Sequence, residues 1–284
     1  MTRDALIATA LLGGVLLGVS ASGCGRRSPL PAGVSGRVTT AMAAGVRAAE
    51  LYPLGARRYV RLDPETGAAT RIEVVENEPE DRGGGWTQRT RLEPIEGGEA
   101  PEPDDELASV TSLVETPGGG VAMRSLVARA PSATRSDEAL YVFDPALVMA
   151  PPELAPGETF RDTCELRIVE LDDHARVIKR GTGERRVRVI GGRTLRTQRG
   201  DVACTLVRAE LVLTMGAIRS ETVTDLWVSP GVGVIAESAA RVSSVMGVPV
   251  RRSRSVRRLE GWLEAPVDRV SARDDDRASR PGGR

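Results

Sequence analysis

The chain has 284 residues, and its 39 basic and 39 acidic side chains leave no net charge, so no global field draws it to nucleic acid. Aromatic residues make up 3%, too few to line a sugar or nucleic-acid groove by stacking. Lys179 is the sole lysine and His174 the sole histidine; the arginine bias, with abundant Ala, Gly and Val, reads as the codon usage of a high-GC genome and discounts arginine clusters as functional evidence.

Residues 1–23 read as an export signal: Arg3 near the start, an apolar run over 5–19, then small residues. The run is shorter than the roughly 20 apolar residues a membrane-spanning helix needs. Ala21, Ser22 and Gly23 followed by Cys24 resemble the lipobox of bacterial lipoproteins, with Ala21 where leucine is usual. That resemblance implies a Cys24 that is acylated, with palmitate or a similar chain, and becomes the new N-terminus. Gly25 after it implies the outer membrane, facing the periplasm. The competing reading is ordinary signal cleavage and a free exported protein. Residues 24–50 then form a tether, rich in turn formers over 25–33, and 38–50 read as a short helix weakened by Gly45.

From residue 51 the pattern is that of strands, over 58–62, 70–75, 86–92, 107–115 and 121–128, with turns at 63–67 and 118–120. The acidic, Pro- and Gly-rich stretch 93–106 reads as a solvated loop without the ligand spacing of a calcium-binding hand. Further strands follow at 140–143, 159–171, 177–179, 186–190, 205–214, 219–228, 233–240, 242–246 and 248–263, with 149–157 as a connector and the Gly181-Thr182-Gly183 and Gly191-Gly192 pairs as turns. Alternation puts Cys164, Leu166 and Ile168 on one face, and Val207, Ala209, Leu211 and Leu213 opposite Arg208 and Glu210. Hairpin spacing without a long helix predicts an all-β fold, an antiparallel meander forming a curved sheet or incomplete barrel over 51–263. Pro53-Leu54-Gly55 before Tyr59 is echoed by Ala155-Pro156-Gly157 before Phe160, which suggests two related β halves. Residues 264–284 read as a disordered tail.

The stretch 226–238, LWVSPGVGVIAES, raises the question of a phosphate loop. Such a loop needs a following helix and usually a lysine; here strand residues follow. Pro230-Gly231 suits the centre of a type II turn after Trp227, and Gly233 suits a bulge or a close backbone approach.

Tyr52-Pro53-Leu54-Gly55, 154–160 (LAPGETF), Gly200-Asp201-Val202-Ala203-Cys204 and Trp227-Val228-Ser229-Pro230-Gly231-Val232-Gly233 are together similar to bacterial envelope β-proteins and lipoproteins called TapB-like. Arg58 stands where those proteins usually carry tryptophan. The resemblance implies an all-β domain of the kind compared with lipoprotein-carrier half-barrels. It implies no activity, cofactor or catalytic residue.

With Cys24 in the anchor, Cys164 and Cys204 form an even pair, read as a disulfide in an oxidising compartment or else as two buried thiols. Any histidine-dependent catalysis must use His174, which falls in an expected turn, and no metal or nucleotide motif occurs. The run 251–258 (RRSRSVRR) reads as the charged face of an edge strand, and alternatively as a surface for anionic lipid. The expected function is a non-enzymatic envelope lipoprotein without cofactor or metal, held to the membrane by its N-terminal lipid. Its β domain binds an envelope protein or an apolar ligand, and nucleic acid is not a partner. The alternatives are an envelope hydrolase and a purely structural component.

Overall fold

Alternating apolar residues over most of the chain produce strands that hydrogen-bond to their neighbours in sequence until the sheet meets itself. The computed structural model describes residues 36–37, 44–80, 84–95, 107–128, 139–197 and 200–262. Two short strands, β1 (Gly36–Arg37) and β2 (Val46–Arg47), precede a one-turn helix, α1 (Ala48–Leu51). Six strands follow: β3 (Gly55–Leu62), β4 (Ala69–Pro79), β5 (Gly85–Glu93), β6 (Leu107–Glu115), β7 (Val121–Ala128) and β8 (Ala139–Ala150). After the two-residue β9 (Glu153–Leu154) come β10 (Thr159–Glu170), β11 (Val177–Thr197), β12 (Gly200–Met215), β13 (Ile218–Ser229), β14 (Gly233–Val245) and β15 (Val248–Leu259).

Every long strand pairs antiparallel with the next, β8 passes to β10, and β15 returns to β3, so twelve strands form a closed up-and-down barrel. The closing seam is short, running from Tyr59↔Leu259 to Leu62↔Val256. The echoed connectors open the first and seventh strands of the ring, with Gly55 at φ 87° and Gly157 at φ 84°, so the ring divides six and six. The segments leading into the two halves pair with each other, Val46 opposite Leu154 and Arg47 opposite Glu153.

Three sequence expectations change. Of the helix expected over 38–50, the described residues 44–50 are helical only from Ala48, in α1: Val46 is buried and paired to β9, and Gly45 passes so near Glu153 that a Cβ would meet its Oε1 at 2.9 Å. Residues 38–43, the signal, Cys24 and the tail beyond 262 lie outside the described residues, as do 96–106 of the acidic loop. The glycines expected to break β11 into pieces instead lie within one 21-residue strand. Gly181 and Gly183 give space, because a Cβ at Gly181 would meet the Thr214 carbonyl at 2.0 Å and one at Gly183 the Cys164 Sγ at 3.0 Å, while Gly191 lies at a register shift against β12. The third change is in β15, where Arg257 and Arg258 lie in the seam with β3 rather than on a free edge. The edge reading holds for 248–255, which among the described residues pair with β14 alone.

Small barrels of about eight strands are filled by their own side chains, whereas 16–18 strands leave a channel. A ring of twelve falls between, and its lumen is partly filled. Trp86, Leu113, Tyr141, Phe143, Leu147 and Leu166 belong to one buried cluster. Trp227, Leu195, Cys204, Leu206 and Ile235 anchor a second, and Val187, Val207, Ala209, Val228 and Leu154 a third. The faces expected for β10 and β12 are those observed: Cys164, Leu166 and Ile168 are buried together. On the opposite face of β12, Arg208 forms a two-pronged ion pair with Asp225 at 2.7 and 2.8 Å.

Candidate functional site

One end of the barrel is closed by its own sequence. Ser229-Pro230-Gly231-Val232 forms the expected turn, with the Val232 N–H donating to the Ser229 carbonyl at 3.1 Å and Gly231 at φ 73°, as a type II turn requires. Gly233, at φ 91°, allows the close approach anticipated for it. The backbone of α1 lies against it, and a Cβ there would meet the Glu50 carbonyl oxygen at 2.7 Å. Glu50 clamps the contact from the other side, its Oε1 accepting from the Gly231 N–H at 3.4 Å while Oε2 accepts from the Arg47 N–H at 3.0 Å. Arg57 donates to the Val232 carbonyl at 2.5 Å. The turn, α1 and Tyr52 together plug the barrel.

Beneath the plug the lumen contains a partly open cavity of about 270 Å³. Its apolar wall includes Leu113, Met123, Leu126, Met149, Leu211 and Leu226. Its polar wall comprises Tyr52, Arg57, Tyr59, Asn77, Gln88, Arg185, Glu237 and Arg257. These residues come from nearly every strand of the ring, because the side chains sharing the inward parity on successive strands all meet there.

The polar wall is built around Arg257. Its guanidinium donates to Glu237 at 2.5 and 3.0 Å and to Glu73, and it lies over the Tyr59 ring, 4.6 Å from the centroid. Arg61 completes the cluster through its Nε, 2.5 Å from Glu73 Oε2. Burial opposes ionisation of Glu73, but Arg257 and Arg61 outweigh it and hold the carboxyl below its ordinary value. Burial likewise opposes the charge on Arg257, and Glu237 and Glu73 raise its affinity for the proton well above the usual arginine value. Burial also raises the hydroxyls of Tyr52 and Tyr59 above their ordinary values, so both remain donors. Tyr59 donates to the Val234 carbonyl at 3.3 Å. Asn77 donates to the Pro53 carbonyl at 2.6 Å and accepts from Gln88 at 3.0 Å, tying the plug to β4 and β5.

Of the lumen's charged residues, sequence named only Arg257, within the run 251–258 read as the exposed face of an edge strand. The signal that was available is an inward-facing charge on otherwise apolar strand faces, such as Glu237 between Ile235 and Ala239 on β14. Conversely, His174 is exposed in the β10–β11 turn and does not line the cavity; its neighbour Asp173 accepts from the N–H groups of Ala175 and Arg176.

The expected Cys164–Cys204 disulfide is not formed; both thiols are buried and free. The register shows why. Cys164 faces Gly183, and Gly183 faces Leu213. Cys204 stands nine residues from Leu213 along β12, about 30 Å at the strand rise, whereas a disulfide needs Cα atoms within about 7 Å. Burial pushes Cys164 up to about 11 and Cys204 up to about 12. Alkylation of the folded protein at pH 8 should therefore leave both unmodified, and alkylation after unfolding without reductant should modify both. A peptide linking them in mass spectrometry would contradict the register.

No family model matches the chain, and no curated protein matches it. Among solved structures it is similar to a Bacteroides fragilis protein with a YmcC-like fold, with 13% identity, 79% of this chain and 100% of that one covered, and a TM-score of 0.36. A likeness of that size leaves the function to be argued from the lumen itself.

Proposed function

We propose that this protein is a non-enzymatic, lipid-anchored component of the bacterial envelope whose barrel binds a small, largely apolar ligand in its lumen. The observation that carries the binding reading is the cavity of about 270 Å³ between a Leu/Met wall and a wall of fixed hydrogen-bonding groups. Ligand sites are concave and mostly apolar, with a few placed polar groups, and begin near roughly 300 Å³; the lumen cavity lies just below that range. A structural strut would gain nothing from an unfilled space in its lumen, because unfilled space forfeits packing. The envelope reading rests on the signal-like N-terminus and on Ala21-Ser22-Gly23-Cys24, and the TapB-like resemblance is compatible with it. Acylation at Cys24 and outer-membrane residence belong to the same proposal.

A protein partner is the second reading. It is favoured by the free end of the β14–β15 hairpin, where Met246, Val248 and Val250 are 83%, 64% and 57% exposed. One titration separates the two. Phenylnaphthylamine, a neutral fluorophore that brightens in apolar sites, should bind the folded mature protein at a single saturable site. Binding lost on Met246→Ser with Val248→Ser would place the apolar surface outside the barrel and favour the partner. In the same preparation Cys24→Ala should abolish partitioning into the detergent phase; a variant that still partitions refutes the anchor.

A further inference from the structure

The lumen's charges do not balance, and the imbalance identifies the ligand's class; this inference rests on the lumen-binding reading above. Arg257 and Arg61 are matched by Glu73 and Glu237, two cations against two carboxylates. That leaves Arg57 and Arg185 on the cavity wall. Arg57 is engaged by the Val232 carbonyl of the plug. Arg185 is buried, 7% exposed, and among the described residues it has no carboxylate within ion-pair distance. Its Nε donates to the Met149 carbonyl at 3.4 Å, and it hydrogen-bonds the Tyr52 hydroxyl. Asp162, its register partner on β10, is turned instead to the Val148 N–H, which donates to its Oδ2 at 2.6 Å.

Removing a guanidinium from water without a counter-ion is costly, and buried charges are ordinarily paired. An arginine on a cavity wall is suited to a carboxylate, which it can hold through two parallel N–H donors. The Tyr52 hydroxyl beside it adds a donor. The rest of the lining is largely aliphatic: Leu211 adjoins Arg185 on the neighbouring strand β12, and Leu113, Met123 and Leu126 supply apolar surface from β6 and β7. A head and a tail are thereby provided for within one chamber.

We propose that the lumen binds a single-chain amphiphile with a carboxylate head, the head paired to Arg185 and Tyr52 and the chain lying against Leu113, Met123, Leu126 and Leu211. The small volume limits it to a short or medium chain. Arg257 serves as a fixed part of the wall, its charge already satisfied by two carboxylates. The neighbouring Glu237 also excludes a second anion from that side.

The test compares decanoate, decanol and decyltrimethylammonium by calorimetric titration of the mature protein. Decanoate should bind about tenfold or more tighter than decanol, the ratio expected of a charge-assisted hydrogen-bonded pair, and the cationic amphiphile should bind most weakly. Arg185→Met should erase the preference for decanoate, Arg185→Lys should retain part of it, and Arg176→Met, in an exposed turn, should leave it intact. Equal affinity of wild-type protein for decanoate and decanol would overturn the anionic head while leaving lumen binding standing, and this comparison requires no variant to fold. A preference that survives Arg185→Met would overturn the role given to Arg185. If none of the three binds, the lumen-binding reading falls, and this inference with it.

Discussion

Arg257→Met should destabilise the protein by about 3–5 kcal/mol, the cost of leaving buried carboxylates without their cation. Two carboxylates depend on Arg257, Glu237 on β14 and Glu73 on β4. The residue lies in β15, within the four-residue seam that closes the ring on β3, so the loss falls where the barrel has the fewest ladder pairs. Glu73 has Arg61 as a second partner; Glu237 has no other ion pair among the described residues. The double variant Arg257→Met, Glu237→Gln should therefore recover part of the loss, a coupling read by a double-mutant cycle in urea. Acid should produce the same failure in the wild type. The Glu73 carboxyl is held below its ordinary value of 4.5, so its contribution is fully present above that pH and is lost as pH falls through the lower value of the folded state. The midpoint of thermal unfolding should be level down to about pH 5 and fall below it, and Glu73→Gln should blunt that fall. An Arg257→Met protein as stable as the wild type would show that the cluster contributes nothing to closure.

Gly233→Ala should cost about 3 kcal/mol, and Gly231→Ala about 1 kcal/mol, although the two glycines are neighbours in one turn. Both have positive φ, 91° and 73°, and so both carry the conformational penalty for a Cβ in the left-handed region. Only Gly233 also faces an obstacle, the Glu50 carbonyl oxygen 2.7 Å from the Cβ position, while the space around Gly231 is open. The obstacle belongs to α1, so relief of the clash must lift the plug. The variant should show increased protease access within 44–55 and faster amide exchange at Val232, whose N–H closes the turn. Equal losses at the two positions would mean that the contact with α1 is not tight.

The same turn shows how far sequence reading reaches. Pro230-Gly231 identified itself because proline fixes φ and glycine permits its positive value, which are properties of single residues. Strand faces were legible for a similar reason, since Val207, Ala209, Leu211 and Leu213 alternate with Arg208 and Glu210 within one segment. Closure was not legible. It depends on Tyr59–Leu62 meeting Val256–Leu259 across the length of the chain, and no local pattern records that encounter. The glycines of β11 misled because a glycine needed for space, as at Gly181, looks in sequence like one needed for a turn.

The lumen's polar wall was hidden twice over. Arg257 and Glu73 are 184 positions apart, and the arginine sat in a basic run that composition had discounted. Cys164 and Cys204 illustrate the converse, a pairing that counting suggested and register forbids. Arg185 was equally anonymous. Its significance lies in what surrounds it, a carboxylate turned away and a cavity in front, and both are properties of the closed ring.

The most direct measurement is the phenylnaphthylamine titration repeated on a barrel whose lumen has been filled. Leu211→Trp places an indole in the cavity from β12, beside Arg185 on the neighbouring strand. The wild-type protein should show one saturable site, and Leu211→Trp, with its cooperative unfolding transition retained, should show none. A wild-type protein that does not bind the probe, or a filled barrel that binds it as before, would contradict a ligand-holding lumen.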